Sequence, residues 1–273
     1  MKKLKTILRT LAVIIIVLLP FLPISESFFE PNTQIDNQTL STFIAICLAI
    51  IFVGFVVVYL LKSKWSTSGI LLLLIGFTVV IPLHLGVPRM DESLLTFAGI
   101  EQFRYGLLLL ATLLLFFAGL KILNPIKSIQ SKIFFIVLIA ATLLNLWDNY
   151  SSFMLSTEMK NWVADGKSPN DFLVQFNFQI TWRTLARIGL YLTTIVLIFS
   201  LLKQLEIRKW QFITLSAFCV IGIIFCILCL LNNFENFYFP FMIPAIALAP
   251  AYWAGIALLT NRKTDNGQIH SGL

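Results

Sequence analysis

Residues 69–87 read Gly69-Ile70-Leu71-Leu72-Leu73-Leu74-Ile75-Gly76-Phe77-Thr78-Val79-Val80-Ile81-Pro82-Leu83-His84-Leu85-Gly86-Val87, without one acid, lysine or arginine. A helix needs about 20 mostly apolar residues to cross the ~30 Å hydrocarbon core of a bilayer. A strand of a membrane barrel would alternate apolar and polar residues. That alternation is missing here, and missing again in Leu107-Leu108-Leu109-Leu110. In hydrocarbon a lone segment must satisfy its own backbone hydrogen bonds, which a helix does. The stretch therefore predicts a membrane-spanning helix.

Working outward, comparable runs fall at roughly 8–24, 41–61, 103–120, 131–150, 179–202, 211–231 and 240–260. With 69–87 they predict an all-α polytopic transmembrane bundle of about eight spanning helices, a single integral membrane domain over 1–273. Composition agrees: 58% of residues are hydrophobic and 12% charged, with a mean hydropathy of +0.89. A soluble domain is about a quarter charged, so too little polar surface is present to cover a water-facing globule. Pro20, Pro82, Pro244 and Pro250 fall in these runs. Kinks at such positions are tolerated where neighbouring helices satisfy the freed carbonyls.

The first run admits a second reading. Met1-Lys2-Lys3, the apolar Leu11–Leu19 and the small-residue pattern Ser25-Glu26-Ser27 also describe a cleavable secretory signal. Cleavage would leave seven helices and put the new N-terminus outside.

Lys and Arg near helix ends set orientation. With the N-terminus inside, the cytoplasmic segments hold Lys2, Lys3, Lys5, Arg9, Lys62, Lys64, Lys121, Lys127, Lys132, Lys203, Arg208, Lys209, Arg262 and Lys263, against only Arg89, Arg104, Lys160 and Lys167 outside. The acids sort the other way, with Glu206 and Asp265 inside and the rest at or beyond the outer boundary. Both termini are therefore expected in the cytoplasm of a cell, with the chain in a cell membrane such as a bacterial inner membrane. The net charge of +7 reads as a basic inner rim facing anionic lipid rather than as a nucleic-acid footprint.

The connections between runs are short, except 151–177, which is expected to be the largest extracytoplasmic loop and, carrying Trp162, Gly166, Pro169 and Phe172, a structured one. No Gly-rich phosphate-binding loop occurs, so no nucleotide site and no cofactor are expected. Arg104-Tyr105-Gly106-Leu107 and Arg187-Ile188-Gly189-Leu190 open two Leu-rich runs of the same direction and suggest a duplicated hairpin.

Ionisable side chains at membrane depth are costly and point to function. Arg183 and Arg187 are spaced i and i+4 on one helix face, and Tyr191 and Thr194 continue it as a polar stripe. Arg187 would lie about 8 Å deep, where reaching the headgroups is harder. Asp148, with Asn145 one turn below it, is the candidate partner, and Glu101 beside Arg104 offers a second acid at that level. Two readings follow. One is a structural Arg–Asp clamp between helices. The other is a site for a phosphate or carboxylate, which the forked guanidinium donors fit.

His84 is the only histidine outside the C-terminal tail, and a metal or haem would need a second strong ligand beside it. It reads as a hydrogen-bonded interfacial imidazole or as a proton carrier. Cys226-Ile227-Leu228-Cys229 is a C-x-x-C within a helix, where residues one turn apart lie about 5–6 Å apart at Cβ, beyond the ~3.5–4.5 Å of a disulfide. The pair reads as packing. Glu235, among Asn232, Asn233 and Asn236, reads as a turn or a polar mouth. No Ser/His/Asp or His-Glu-x-x-His arrangement is present.

These residues favour a non-catalytic carrier or membrane subunit of a larger assembly. Its outward-facing polar site, built on Arg183, Arg187 and Asp148, would take an anionic lipid or small anion. One alternative is an intramembrane enzyme acting on a lipid headgroup at the outer leaflet, with His84, Asp148 or Glu235 moving the proton. Another is a structural protein that docks partner subunits.

Overall fold

The computed structural model describes residues 2–21, 37–85, 98–124, 129–231, 239–263 and 269–270. Among these described residues are eight α-helices: α1 Lys2–Leu18, α2 Asn37–Leu61, α3 Thr67–His84, α4 Ala98–Leu123, α5 Ile129–Ala164, α6 Pro169–Lys203, α7 Lys209–Leu231 and α8 Pro244–Thr260. Single 3-10 turns, Leu19–Phe21 and Phe239–Met242, follow α1 and precede α8. Among the described residues the remaining regular structure is a two-residue antiparallel pairing in the C-terminal tail, Arg262 opposite His270. Six helices, α2 to α7, are long and apolar enough to cross a bilayer, and α1 and α8 are shorter apolar helices. The chain is an all-α integral membrane protein.

Consecutive helices from α3 to α7 pack as antiparallel neighbours, and α8 returns to lie along α3, with α6 and α7 on its other side. α1 and α2 lie outside this arrangement against α3 and α8. Phe52 and Leu60 on α2, Ile136 and Leu143 on α5, and Ile213 and Leu231 on α7 remain exposed, as a lipid-facing surface requires.

α8 is the most enclosed element, because its side chains are small. Ala247, Ala251, Ala254 and Gly255 let its backbone approach α3 closely, as in other membrane helix pairs. A Cβ added at Gly255 would lie 2.8 Å from the Leu73 backbone nitrogen, and one at Gly76 would lie 2.0 Å from the Tyr252 ring. The Tyr252 hydroxyl then donates to the Ile16 carbonyl at 2.7 Å. Pro20 stands four residues after Ile16 and has no N–H to offer that carbonyl, so a hydroxyl from α8 takes its place.

The helix bounds depart from the apolar runs at several points. α1 begins at Lys2 and ends at Leu18, rather than running from 8 to 24; residues 22–24 and the Ser25–Ser27 cleavage pattern lie outside the described residues. α8 starts at Pro244 rather than 240 because Pro is suited to the first helical turn and Phe239–Met242 forms a tighter turn before it. Pro82 and Pro250 lie within helices, whereas Pro20 and Pro244 mark helix ends.

The largest difference is at 151–177. Helix α5 continues to Ala164 and α6 resumes at Pro169, so the expected loop is two helical extensions joined at 165–168. At about 1.5 Å per residue, the 36 residues of α5 reach roughly 54 Å, well beyond a ~30 Å hydrocarbon core. Gly166 makes the reversal with φ +75, and Trp162 Nε1 donates across it to the Ser168 carbonyl at 2.8 Å.

At the opposite end, the α2–α3 and α6–α7 turns clasp the end of α8. The Ser63 hydroxyl donates to the Asn261 carbonyl at 2.6 Å, Asn261 Nδ2 donates to Gln211 Oε1 at 2.9 Å, and Lys64 pairs with Glu206.

Candidate functional site

The candidate residues come from the start of α4, the middle of α5 and of α6, and the turn before α8. Along α5, Asp148, Asn149 and Ser152 follow Asn145 by three, four and seven residues, so they share the helix face turned into the bundle, and all are buried. Arg183 and Arg187 stand one turn apart on α6 and face the same way.

Arg187 is 2% exposed, as is Asp148. Its terminal nitrogens donate to Asp148 Oδ2 and to Asn145 Oδ1, the latter at 2.8 Å, while its Nε donates to the Met242 carbonyl at 2.9 Å. One guanidinium thus ties α6 to α5 and to the start of α8. Asn145 is held in turn, its Nδ2 donating to the Ala141 and Ala186 carbonyls at 2.8 and 2.9 Å. Below Arg187 the stripe is closed. The Tyr191 hydroxyl donates to the Phe241 carbonyl at 3.1 Å, and its ring sits where a side chain at Gly222 would stand. Thr194 returns its hydroxyl to the Leu190 carbonyl. These residues form packed core rather than a polar path leading inward.

Arg183 lies nearer the surface, with 16% of its side chain exposed. Its Nε is 3.1 Å from Asp148 Oδ1, and a terminal nitrogen donates to Ser152 Oγ at 2.5 Å. Two arginines therefore converge on the single Asp148 carboxylate, one enclosed and one at the rim.

Beside this cluster, Arg104 donates to both Glu101 oxygens at 2.7 Å and to the Leu85 carbonyl at 2.7 Å. The pair is buried and stays within α4 while fastening the end of α3. Arg104 and Arg187 thus play different parts, and so do the glycines of their shared motif: Gly106 meets open space, while Gly189 faces Ala141. The structure gives the suspected duplication no common environment.

His84, next to Leu85, is buried, and its ring is hydrogen-bonded to the Pro20 carbonyl. Its Nε2 has no partner among the described residues. Glu235 lies outside the described residues. Cys47, Cys219, Cys226 and Cys229 are free and buried. Among the described residues no three His, Cys, Asp or Glu side chains are placed to hold a metal ion.

Sequence reasoning passed over Ser152, although its place four residues after Asp148 puts it on the same helical face. It had no means of finding the Met242 and Phe241 carbonyls, because a backbone acceptor carries no mark in residue identity. Comparison with protein-family models, with curated proteins and with solved structures finds no match for this chain.

Proposed function

We propose that the chain is a non-catalytic protein of a cell membrane, a carrier or the membrane subunit of a larger assembly, that receives an anionic group at Arg183. The observation that carries this reading is the sharing of Asp148 by two arginines of unequal burial. Arg187 has three acceptors around it in a low-dielectric setting and serves as the anchor of the cluster. Arg183 engages the same carboxylate and the Ser152 hydroxyl, at the rim. A phosphate or carboxylate arriving there exchanges with Asp148 for Arg183, while Asp148 keeps Arg187.

In this reading both termini are cytoplasmic and the Arg183 rim faces the extracytoplasmic side, in keeping with the excess of Lys and Arg at the other end. Proton-transfer chemistry draws no support from the contacts, since His84 is engaged with the Pro20 carbonyl in the turn after α1 rather than with the arginines.

The test uses detergent-purified full chain, inorganic phosphate and soluble dioctanoyl phosphatidic acid as two probes, and thermal unfolding as readout. Wild type is expected to be stabilised by at least one probe, and Arg183→Gln to lose that response while remaining folded. Response to phosphate identifies a free-anion site, and response to the lipid alone a headgroup site. An unchanged response in Arg183→Gln, or none in wild type, overturns the reading.

A further inference from the structure

At the other end of the bundle a groove of about 670 Å³ opens between the last turns of α4 and the first turns of α5. Its walls divide by chemistry. Lys121, Lys132, Asn124 and Ser131 supply polar groups, and Phe135 and Ile136 continue as an apolar wall along α5. Lys121 and Lys132 are both exposed, as are Phe135 and Ile136. The groove lies where the hydrophobic span of α4 ends and that of α5 begins. A bilayer changes there from headgroups to acyl chains. Positive charge at one end and hydrocarbon at the other match one class of ligand.

The surrounding charge adds to the match. Lys203 at the end of α6 is close by, with its Nζ donating to Gln130 Oε1 at 2.6 Å. The one acid described at this end, Glu206, is paired with Lys64. Among the described residues, then, no carboxylate is seen to neutralise Lys121 or Lys132 from within the chain.

We infer that this groove holds a single anionic phospholipid, its phosphate between Lys121 and Lys132 and one acyl chain along Phe135 and Ile136. A lipid so placed bridges α4 and α5 at the end remote from Arg183 and is independent of the site proposed there.

The experiment reconstitutes full-length protein into nanodiscs of equimolar phosphatidylglycerol and phosphatidylcholine, releases it into mild detergent, and counts retained lipids by native mass spectrometry. One phosphatidylglycerol is expected to be retained in preference to phosphatidylcholine. A lysine beside anionic lipid contributes about fivefold, so Lys121→Gln with Lys132→Gln is expected to lower that preference roughly 30-fold. The corresponding double arginine variant keeps it. Phe135→Ala leaves both charges in place and weakens lipid retention. Equal retention of the two lipids by wild type overturns the inference, whether or not the glutamine variant folds. Displacement of the lipid by millimolar inorganic phosphate, with Phe135→Ala without effect, assigns the groove to a free anion and overturns the lipid. The Arg183→Gln variant is expected to retain lipid as wild type does, so failure here and failure of the Arg183 reading are told apart.

Discussion

Arg187 shows how far the environment of one residue can be inferred beforehand. Its depth on α6 and its need for a partner follow from residue identity and the cost of charge in lipid. That Asp148, Asn145 and the Met242 carbonyl supply the partners follows only from the packing of three elements. Removing one side of a buried pair leaves the other uncompensated, at a cost of about 3–5 kcal/mol. Arg187→Gln is therefore expected to lose most folded protein in detergent, and adding Asp148→Asn to recover part of it. A double-variant cycle read by thermal unfolding checks this, and strict additivity would disprove the clamp. Leu205 offers an opposite case. It ends α6 with φ 54 while Glu206 N–H reaches back to the Leu201 carbonyl at 2.9 Å, a helix end that favours glycine. A left-handed conformation costs a non-glycine residue roughly 1–2 kcal/mol. Leu205→Gly is expected to raise the melting temperature, and a fall would refute the strain.

Among the elements, the α3–α8 pair governs the fold because its two backbones are in near contact. At Gly255 an added Cβ meets the Leu72 and Leu73 backbone, which cannot rotate away. Gly255→Ala is expected to cost about 1–3 kcal/mol. Gly106→Ala, facing open space, is the control and is expected to be neutral or slightly stabilising. Equal effects of the two on thermal unfolding would show that the contact carries no such weight. The same scale holds the clearest departure from sequence reasoning. Polar residues over 151–177 read as a loop because hydropathy reports the membrane boundary, and a helix does not have to stop there. Helices α5 and α6 leave the hydrocarbon still hydrogen-bonded and reverse only at Gly166.

For the whole molecule, the charge asymmetry proposes which end faces the cytoplasm, and chemical labelling tests it. The native cysteines are buried, so single cysteines replacing Lys167 and Arg208 report on opposite ends of the bundle. A membrane-impermeant maleimide is expected to label position 167 in intact cells and position 208 only after permeabilisation. The reverse pattern would invert the proposed topology and move the Arg183 rim to the cytoplasmic side.

Helix class and the membrane setting were legible in residue order alone, because hydrocarbon leaves a lone segment no other way to satisfy its backbone than to coil. Apolar run length then reports where helices lie, and Lys and Arg placement ranks the two orientations. Which residues meet was not legible. Asp148 between two arginines and Tyr252 supplying a hydroxyl to a carbonyl orphaned by Pro20 both join positions far apart in the chain. Between elements, contact depends on helix rotation and backbone approach. Those are set by how small residues such as Gly76 and Gly255 fit their neighbours, a property of the packed pair and not of either segment.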